Sequence, residues 1–511
     1  MFPRRTMVRL LTGMAIGGLP LAMVRPAAAE ASFAAADIAL VDAITWGVNP
    51  STMAEFQSLG RDRWLRSQLH PAPGDRLPKA AQQQIDALAV SRRSAVQLAT
   101  DFDAMGRIAN ELADPDQRAA AQNTFQSAMS DVACQAATAS ILRDLYSPDQ
   151  LRERMTWFWF NHFNVHQYKA NLRVLVGDYE RNAIRQHALG HFHDLLMATL
   201  RHPAMLRYLD NADNAAGHIN ENYAREIMEL HTMGVGSGYT QQDVEQLARI
   251  LTGAGIDLNP EPPRLKPEQQ HLLIRDGLFT FNPARHDFSD KTFLGKTIKG
   301  SGFAEIEQAV GILCTHPATA QHISRQIAVY FVADDPPKTL TDRMAQTFTR
   351  TGGDIAAVLD AMFHAPEFTA AIGTRFKDPV RYILSAVRLA YDDKVIVNTT
   401  PIQNWLNRLA EGLYNHQTPD GYAMVSSAWD ASGQMTTRFE IARQIGSNAA
   451  GLFKPAGKDT VAEPAFPLLQ NSLYFNGLRV RLSEKTHAAL DQAISPEDWN
   501  TLLLSSPEFM R

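Results

Sequence analysis

Residues 220–255 combine a helical pattern of apolar side chains with an unusual density of polar ones. Tyr223, Ile227 and Leu230 recur at steps of three and four residues, which is the spacing of one helix face. Glycines at every second position of 234–238 favour the open or left-handed backbone in which helices end. The stretch therefore predicts a helix, a glycine-rich turn and a second helix.

The polar residues of the first helix allow two interpretations. Glu221, Arg225 and Glu229 form one row at four-residue spacing, and Asn222 and Glu226 form a second row beside it. In the first interpretation the helix lies on the surface, with ion pairs worth roughly 0.3–0.5 kcal/mol each. In the second it lines a cleft, where the carboxylates of Glu226 and Glu229 share a proton, a metal or a sugar. The sequence leaves both open.

Helical periodicity covers most of the remaining chain and predicts a mainly α protein, a large multi-helix array or bundle. Thr240 is the expected N-cap of the second helix above, with Asp243 in the capping-box position. Residues 256–300 differ, because their prolines and short apolar runs predict a small irregular or β insert. Residues 70–78 have the composition of a linker, and we expect 30–511 to form one large domain.

The N-terminus has the layout of an export signal. Arg4 and Arg5 precede a moderately apolar run, 10–24, and three alanines, 27–29. We therefore expect residues 1–29 to be a signal peptide resembling the twin-arginine type; a chance Arg-Arg in an ordinary secretory signal is the alternative. No second apolar run is long enough to span a bilayer. The mature protein is expected to be periplasmic or secreted, without a membrane span.

Charge, cysteine content and missing motifs exclude several functional classes. The formal net charge is -5 and no long Lys/Arg run follows the N-terminus, so the sequence does not predict nucleic-acid binding. It contains no GxSxG nucleophile elbow, no phosphate loop and no GxGxxG after a strand. Cys134 and Cys314 are the two cysteines, and their spacing does not decide whether they pair.

Several phrases together resemble a bacterial secreted family catalogued as domain of unknown function 1800. The phrases are RERMTWFWFNHFNV (152–165), YLDN (208–211), NENYAREIMELHTMGVGSGYTQQDVEQLARILTG (220–253), HDFSDKTFLG (286–295), HPATAQHISRQIAVYFVADDPP (316–337), PDGYAMVSSAWDASGQMTTRFEIA (419–442) and LLLSSPEFMR (502–511). The resemblance implies secretion but no settled activity. Such proteins often accompany a second secreted family resembling sulfatases and alkaline phosphatases, which hints at extracellular polymer metabolism. Members often have Gly-Trp where this chain has Gly421-Tyr422.

Two histidines after an aromatic segment are candidate metal ligands. His162 and His166 are four residues apart, which is the spacing of two ligands on one helix face. The residues between them include no glutamate of the HExxH type. The alternative is that these imidazoles form hydrogen bonds within an aromatic core. Trp159 and Asn161 precede them and are candidate substrate contacts.

Two further clusters lie outside the helical stretch. His286 and Asp287, with Lys291 four residues after Asp287, form a polar group within the insert, where an acid/base pair, a metal site or a backbone-bonded turn is expected. Trp429 and Arg438, which follow Asp420, suit sugar stacking and anion binding, although a buried tryptophan explains the pattern equally.

We expect an exported hydrolase or lyase that acts on an extracellular polymer, most simply a polysaccharide. The candidate catalytic residues are Glu221, Glu226, Glu229, His286 and Asp287. The candidate substrate-binding residues are Asn220, Asn222, Arg225, Trp159, Asn161, Lys291, Trp429 and Arg438. A metal-dependent enzyme, in which His162, Glu226, Glu229 and His286 hold a divalent metal, is one alternative. A non-catalytic scaffold that binds the polymer or a sulfatase-like secreted partner is another.

Overall fold

The computed structural model describes residues 33–455 and 465–511. The predicted signal peptide, 1–29, lies outside the described residues. Helices dominate the described part and short strands occur only between 254 and 298, which confirms the mainly α class and the position of the insert. No described helix combines the length and apolar content needed to cross a bilayer.

The first half of the chain is a series of α-helices joined by short connections, including the segment 70–78. Two helical turns within it have π geometry, Tyr179–Ile184 and Ile227–His231. The α-helices are α1 Ala35–Ile44, α2 Pro50–Leu59, α3 Arg61–Leu69, α4 Lys79–Ala87, α5 Ala89–Arg92, α6 Ala95–Glu111, α7 Pro115–Tyr146, α8 Gln150–His162, α9 Val176–Asp178, α10 Phe192–Arg201, α11 Pro203–Tyr208, α12 Asn222–Glu226 and α13 Gln241–Ile250.

The insert contains two small antiparallel sheets. The first has the order β1-β3-β2, with Ala254 opposite Phe281 and Ile274 opposite the same phenylalanine from the other side. The second is a hairpin that pairs Lys291 with Ile298. The strands are β1 Ala254–Ile256, β2 Ile274–Asp276, β3 Phe279–Phe281, β4 Lys291–Phe293 and β5 Lys296–Ile298.

Helices resume after the insert and complete the core. Cys134 and Cys314 are both free thiols. A third π-helical turn, Tyr474–Leu478, precedes the last two helices. The α-helices of this half are α14 Phe303–Thr315, α15 Pro317–Phe331, α16 Lys338–Thr351, α17 Ile355–Phe363, α18 Pro366–Ala371, α19 Pro379–Tyr391, α20 Thr400–Arg408, α21 Ser432–Gly446, α22 Glu484–Leu490 and α23 Pro496–Leu504.

Helix α8 lies in the centre of the core. All of its residues except Arg152 are buried, including the charged Glu153 and Arg154. The indole N–H of Trp159 has a buried partner, since Nε1 donates to the carbonyl of Ala188 at 3.0 Å. The helix ends at His162, where the chain turns toward the helical stretch 222–250.

The predicted helix, glycine turn and helix are confirmed, with one addition. Gly234, Gly236 and Gly238 all have positive φ, and Thr240 and Asp243 form a reciprocal capping box at the start of α13. The addition is the π turn Ile227–His231, which continues α12 in place of regular α-helix. Such turns leave carbonyl groups without an intrahelical donor.

Imidazole groups satisfy these carbonyls. His162 Nε2 lies 3.1 Å from the carbonyl of His231, and His322 Nε2 lies 3.2 Å from that of Leu230. Because a carbonyl only accepts, each Nε2 carries the proton. Burial, with a smaller effect of His322, lowers the pKa of His162 to about 3. Burial also lowers the pKa of His231 well below its usual range. The buried histidines are therefore neutral.

This arrangement predicts acid-sensitive stability. In the unfolded chain the histidines bind protons below about pH 6.5, whereas the folded protein keeps His162 neutral until about pH 3. The free energy of unfolding therefore falls as the pH drops below about 6.5, by roughly 1.4 kcal/mol per pH unit for each such histidine. Urea unfolding at pH 7, 6 and 5 should show this slope reduced by that amount in His162→Gln. The exposed His364→Gln is the matched imidazole deletion, and an unchanged slope in His162→Gln would contradict the account.

Candidate functional site

The first polar row of the α12 helix is an ion-pair network. Arg225 Nη2 lies 3.0 Å from a carboxylate oxygen of Glu221, and its Nη1 lies 3.6 Å from one of Glu229. Gln241 from α13 donates to Glu221 at 2.7 Å and accepts from Arg225 at 2.9 Å. Glu221 and Arg225 therefore match the surface-helix interpretation of this row, and their charges hold α12 against α13.

The second row contains a perturbed carboxyl group. Glu226 is half-buried, and burial raises its pKa. The negative charges of Glu229 and Asp420 raise this pKa further, while Arg225 opposes them. Asp420 belongs to a loop far from α12 in sequence, so the fold brings carboxylates from two remote segments into electrostatic contact. This convergence is the feature around which we define the candidate site: Glu226, Glu229 and Asp420.

Two asparagines at the end of α8 position the loop that carries Asp420. Asn161 accepts from the backbone N–H of Tyr422 at 2.7 Å and donates to the carbonyl of the same residue at 2.9 Å. Asn164 donates to the carbonyls of His416 and Thr418 at 3.1 and 2.8 Å. The loop is thus anchored on both sides of Asp420 to the end of α8, in which every residue except Arg152 is buried.

The loop also requires a glycine beside Asp420. Gly421 has φ +71°, and a Cβ built on it would lie 2.2 Å from the carbonyl oxygen of Asn161. Any other residue would therefore combine backbone strain with a clash against the backbone of α8. The side chain of Tyr422 packs onward, with its hydroxyl donating to the carbonyl of Gly412 at 2.8 Å. An aromatic ring is retained at this position even though indole is absent.

Two tyrosines flank the carboxylates. Burial raises the pKa of Tyr239 to about 12, and the negative charge of Glu229 adds to this effect. Tyr208, at the end of α11, donates to the carbonyl of Gln417 in the anchored loop at 2.7 Å. Burial raises the pKa of Tyr208, and the charges of Asp420 and Glu226 add to this effect. The site therefore presents carboxyl and phenol groups from four segments of the chain.

Asn220 and Asn222 have structural roles at the edge of this site. The side-chain oxygen of Asn220 accepts from the backbone N–H of Asn222, the first residue of α12, at 3.0 Å. Asn222 donates to the carbonyl of Leu209 at 3.3 Å, which joins α12 to the turn after α11. In that turn Asp210 pairs with Lys169 at 2.7 Å.

The structure does not support a metal site at His162 and His166. Helix α8 ends at His162, so His166 lies outside the helix and the expected four-residue face does not form. The Nε2 atom of His162 is engaged by the carbonyl of His231. Across 33–455 and 465–511, no group of three or more His, Cys, Asp or Glu side chains is placed to hold a metal ion. The statement includes the three carboxylates of the candidate site, which are not placed to hold a metal ion together.

The polar cluster of the insert forms a separate, closed network. His286 and Lys291 both pair with Glu305 of α14, at 2.8 and 2.5 Å, and all three side chains are fully buried. Asp287 pairs with Arg249 of α13 at 2.8 Å. These contacts fix the insert against α13 and α14. The expected common cleft of His286, Asp287 and Glu226 is therefore corrected: the insert's charged groups are used for packing.

Three predicted substrate contacts lie in the core. Trp159 and Arg438 are completely buried, and Trp429 is 6 % exposed. Arg438 donates to the carbonyl of Lys377 at 2.8 Å and lies 4.6 Å from the ring centre of Phe376. Their burial leaves no face for a polymer, so we assign them to packing. The sequence signal for this burial was that each of the three residues has apolar or aromatic residues next to it in the chain.

The anchoring of the loop gives a stability prediction. Gly421→Ala should lower the free energy of unfolding by about 2–4 kcal/mol, because strain at positive φ adds to a clash with Asn161. Gly451→Ala is the matched control, since Gly451 has φ +72° but no atom within 4 Å of a built Cβ. Urea unfolding of both variants measures the difference. Equal losses of stability would show that the close contact with Asn161 is not a constraint.

Comparison with known proteins gives one match. No curated protein and no solved structure is significantly similar to this chain. The model of one protein family matches residues 39–511, which is nearly the whole of the described chain. This protein therefore belongs to the family described as "Protein of unknown function (DUF1800)".

Proposed function

We propose that this protein is an exported enzyme that cleaves an extracellular polysaccharide, with Glu226 as the general acid. The observation that carries the proposal is that the charges of Glu229 and Asp420, together with burial, raise the pKa of Glu226. A carboxyl group with a raised pKa stays protonated at higher pH and can give its proton to a leaving oxygen.

A second carboxylate is needed for cleavage of a glycosidic bond. Most glycoside hydrolases use one carboxyl group as acid and another as nucleophile or general base. Glu229 and Asp420 are the two candidates, since both influence Glu226 electrostatically. Both have other partners: Glu229 pairs with Arg225 at 3.6 Å, and Asp420 accepts from the Thr418 hydroxyl at 2.5 Å. A lyase would use the same groups for proton transfer and leave an unsaturated sugar end, which product analysis distinguishes.

The surroundings of the carboxylates suit a sugar polymer. Tyr239, which is partly exposed, provides a ring and a hydroxyl group beside acids, and amphipathic aromatic side chains offer both apolar faces and hydrogen bonds. The location follows from the N-terminal sequence, which has the layout of an export signal. We place the mature protein in the periplasm or outside the cell, where a sulfatase-like secreted protein is the expected partner.

A non-catalytic scaffold that binds the polymer is the second candidate. It is favoured by the closed networks around α12, in which Arg225 bridges Glu221 and Glu229, and by the fully buried group of His286, Lys291 and Glu305. These networks fix a single packing arrangement of the polar residues. Such a protein would bind a polysaccharide without releasing new reducing ends, and Glu226→Gln would leave its affinity nearly unchanged.

Cleavage assays on the mature protein test the proposal. A panel of neutral and acidic polysaccharides is screened for new reducing ends and unsaturated products. Glu226→Gln should lower the rate by about 10²–10⁴-fold, which is the usual contribution of general acid catalysis. The solvent-exposed Glu245→Gln on α13 is the matched control and should retain activity.

The dependence of activity on pH tests whether Glu226 acts in its protonated form. Since the acid must be protonated, activity should decline as the pH rises through the pKa of Glu226, and this pKa lies above that of an ordinary glutamate. Cleavage that is equally fast in Glu226→Gln would contradict the assigned role. Binding without cleavage across the panel would favour the scaffold.

A further inference from the structure

A cavity of about 180 Å³ lies between α1, α19 and the last residues of the chain, away from the candidate site. Its wall combines apolar side chains, including Val48, Leu389 and Leu482, with charged ones. An engineered apolar cavity of about 150 Å³ holds benzene. The cavity is therefore large enough for a small organic molecule with a ring-sized apolar part.

One of the charged residues in the wall of the cavity is a lysine without a hydrogen-bond acceptor. Lys377 is 2 % exposed, and its nearest carboxylate oxygen, on Asp42, is 3.8 Å from Nζ. That distance is too long for a hydrogen bond. The remaining close partner is the ring of Phe509, whose centre is 4.2 Å away. Within the described residues, this buried amine makes no hydrogen bond, although buried charged groups are normally paired and hydrogen-bonded.

Positive charge is in excess around Lys377. Asp42 faces Lys377 together with Arg381 and Arg481, and its second oxygen accepts from Arg381 at 3.1 Å. Glu508 also lines the cavity, but its oxygens accept from the Ser483 backbone and the Thr486 hydroxyl at 3.0 and 2.8 Å.

This environment affects protonation of the amine. Burial lowers the pKa of Lys377 to about 8. The charges of Arg381, Arg481 and Arg438 act in the same direction, and Asp42 opposes them. An anion in the cavity would therefore stabilise the charged form.

We propose that this cavity binds a small organic carboxylate. The carboxylate accepts hydrogen bonds from Lys377 and pairs with Arg481, and the apolar part of the ligand packs against Leu389 and Leu482. The ligand would supply the acceptor that Lys377 lacks and would offset the excess of positive charge around it. The site shares no residue with Glu226, Glu229 and Asp420, so it stands independently of the proposed polysaccharide cleavage.

Benzoate and benzamide test the proposal on the unaltered protein. The two molecules have nearly the same size, but only benzoate carries a negative charge. Isothermal titration calorimetry should show benzoate binding at least 10-fold more tightly than benzamide. At pH 8.5, titrations in two buffers of different ionisation enthalpy should also show proton uptake, because the bound anion favours the ammonium form of Lys377.

Three variants locate the site. Lys377→Met and Arg481→Gln should each weaken benzoate binding at least 10-fold, whereas the exposed Lys485→Met should leave it unchanged. If Lys377→Met fails to fold, Arg481→Gln and the comparison with benzamide still test whether the cavity binds a carboxylate. Absence of benzoate binding, equal affinity for benzamide, or unchanged affinity in Arg481→Gln would overturn the proposal.

Discussion

The candidate site depends on the pair of hydrogen bonds between the side chain of Asn161 and the backbone of Tyr422. These bonds tie the loop to the end of α8, a helix of the core, and so help to fix the position of Asp420. Without this anchor, and those from Asn164 and Tyr208 to residues 416–418, the loop would not be held near α12. The carboxyl group of Glu226 would then lose one of the charges that raise its pKa. The acid catalysis proposed for Glu226 therefore depends on the side-chain amide of Asn161 in the core.

The buried polar groups divide into two kinds with different consequences. His162, His322 and the ion-paired group of Glu305 with His286 and Lys291 each have a partner of matching chemistry, and they hold helices and insert in one arrangement. Glu226 and Lys377 lack such compensation: one carboxyl group faces other acids, and one amine lacks an acceptor. Uncompensated groups of this kind are concentrated at functional sites, which is why both proposals rest on them.

The local features of the fold were predictable from the sequence, and the long-range ones were not. Glycine spacing and the Thr240 capping box define the turn between α12 and α13, and proline clustering locates the insert. The i,i+4 spacing of His162 and His166 was misleading because the helix ends between them. A single sequence contains no signal that Asp420 meets Glu226 or that Glu305 meets His286, since such contacts arise from packing of remote segments. Burial of Arg438 likewise depends on tertiary neighbours.

The pKa of Glu226 tests the account most directly. It can be measured by NMR on protein labelled with ¹³C at the glutamate carboxyl carbon, with the resonance assigned from Glu226→Gln. The account predicts a pKa above that of an ordinary glutamate, about 4.3, and a decrease in Asp420→Asn, where one of the charges that raise it is gone. A pKa at or below the ordinary value, or one that Asp420→Asn leaves unchanged, would contradict the convergence of these carboxyl groups into one site.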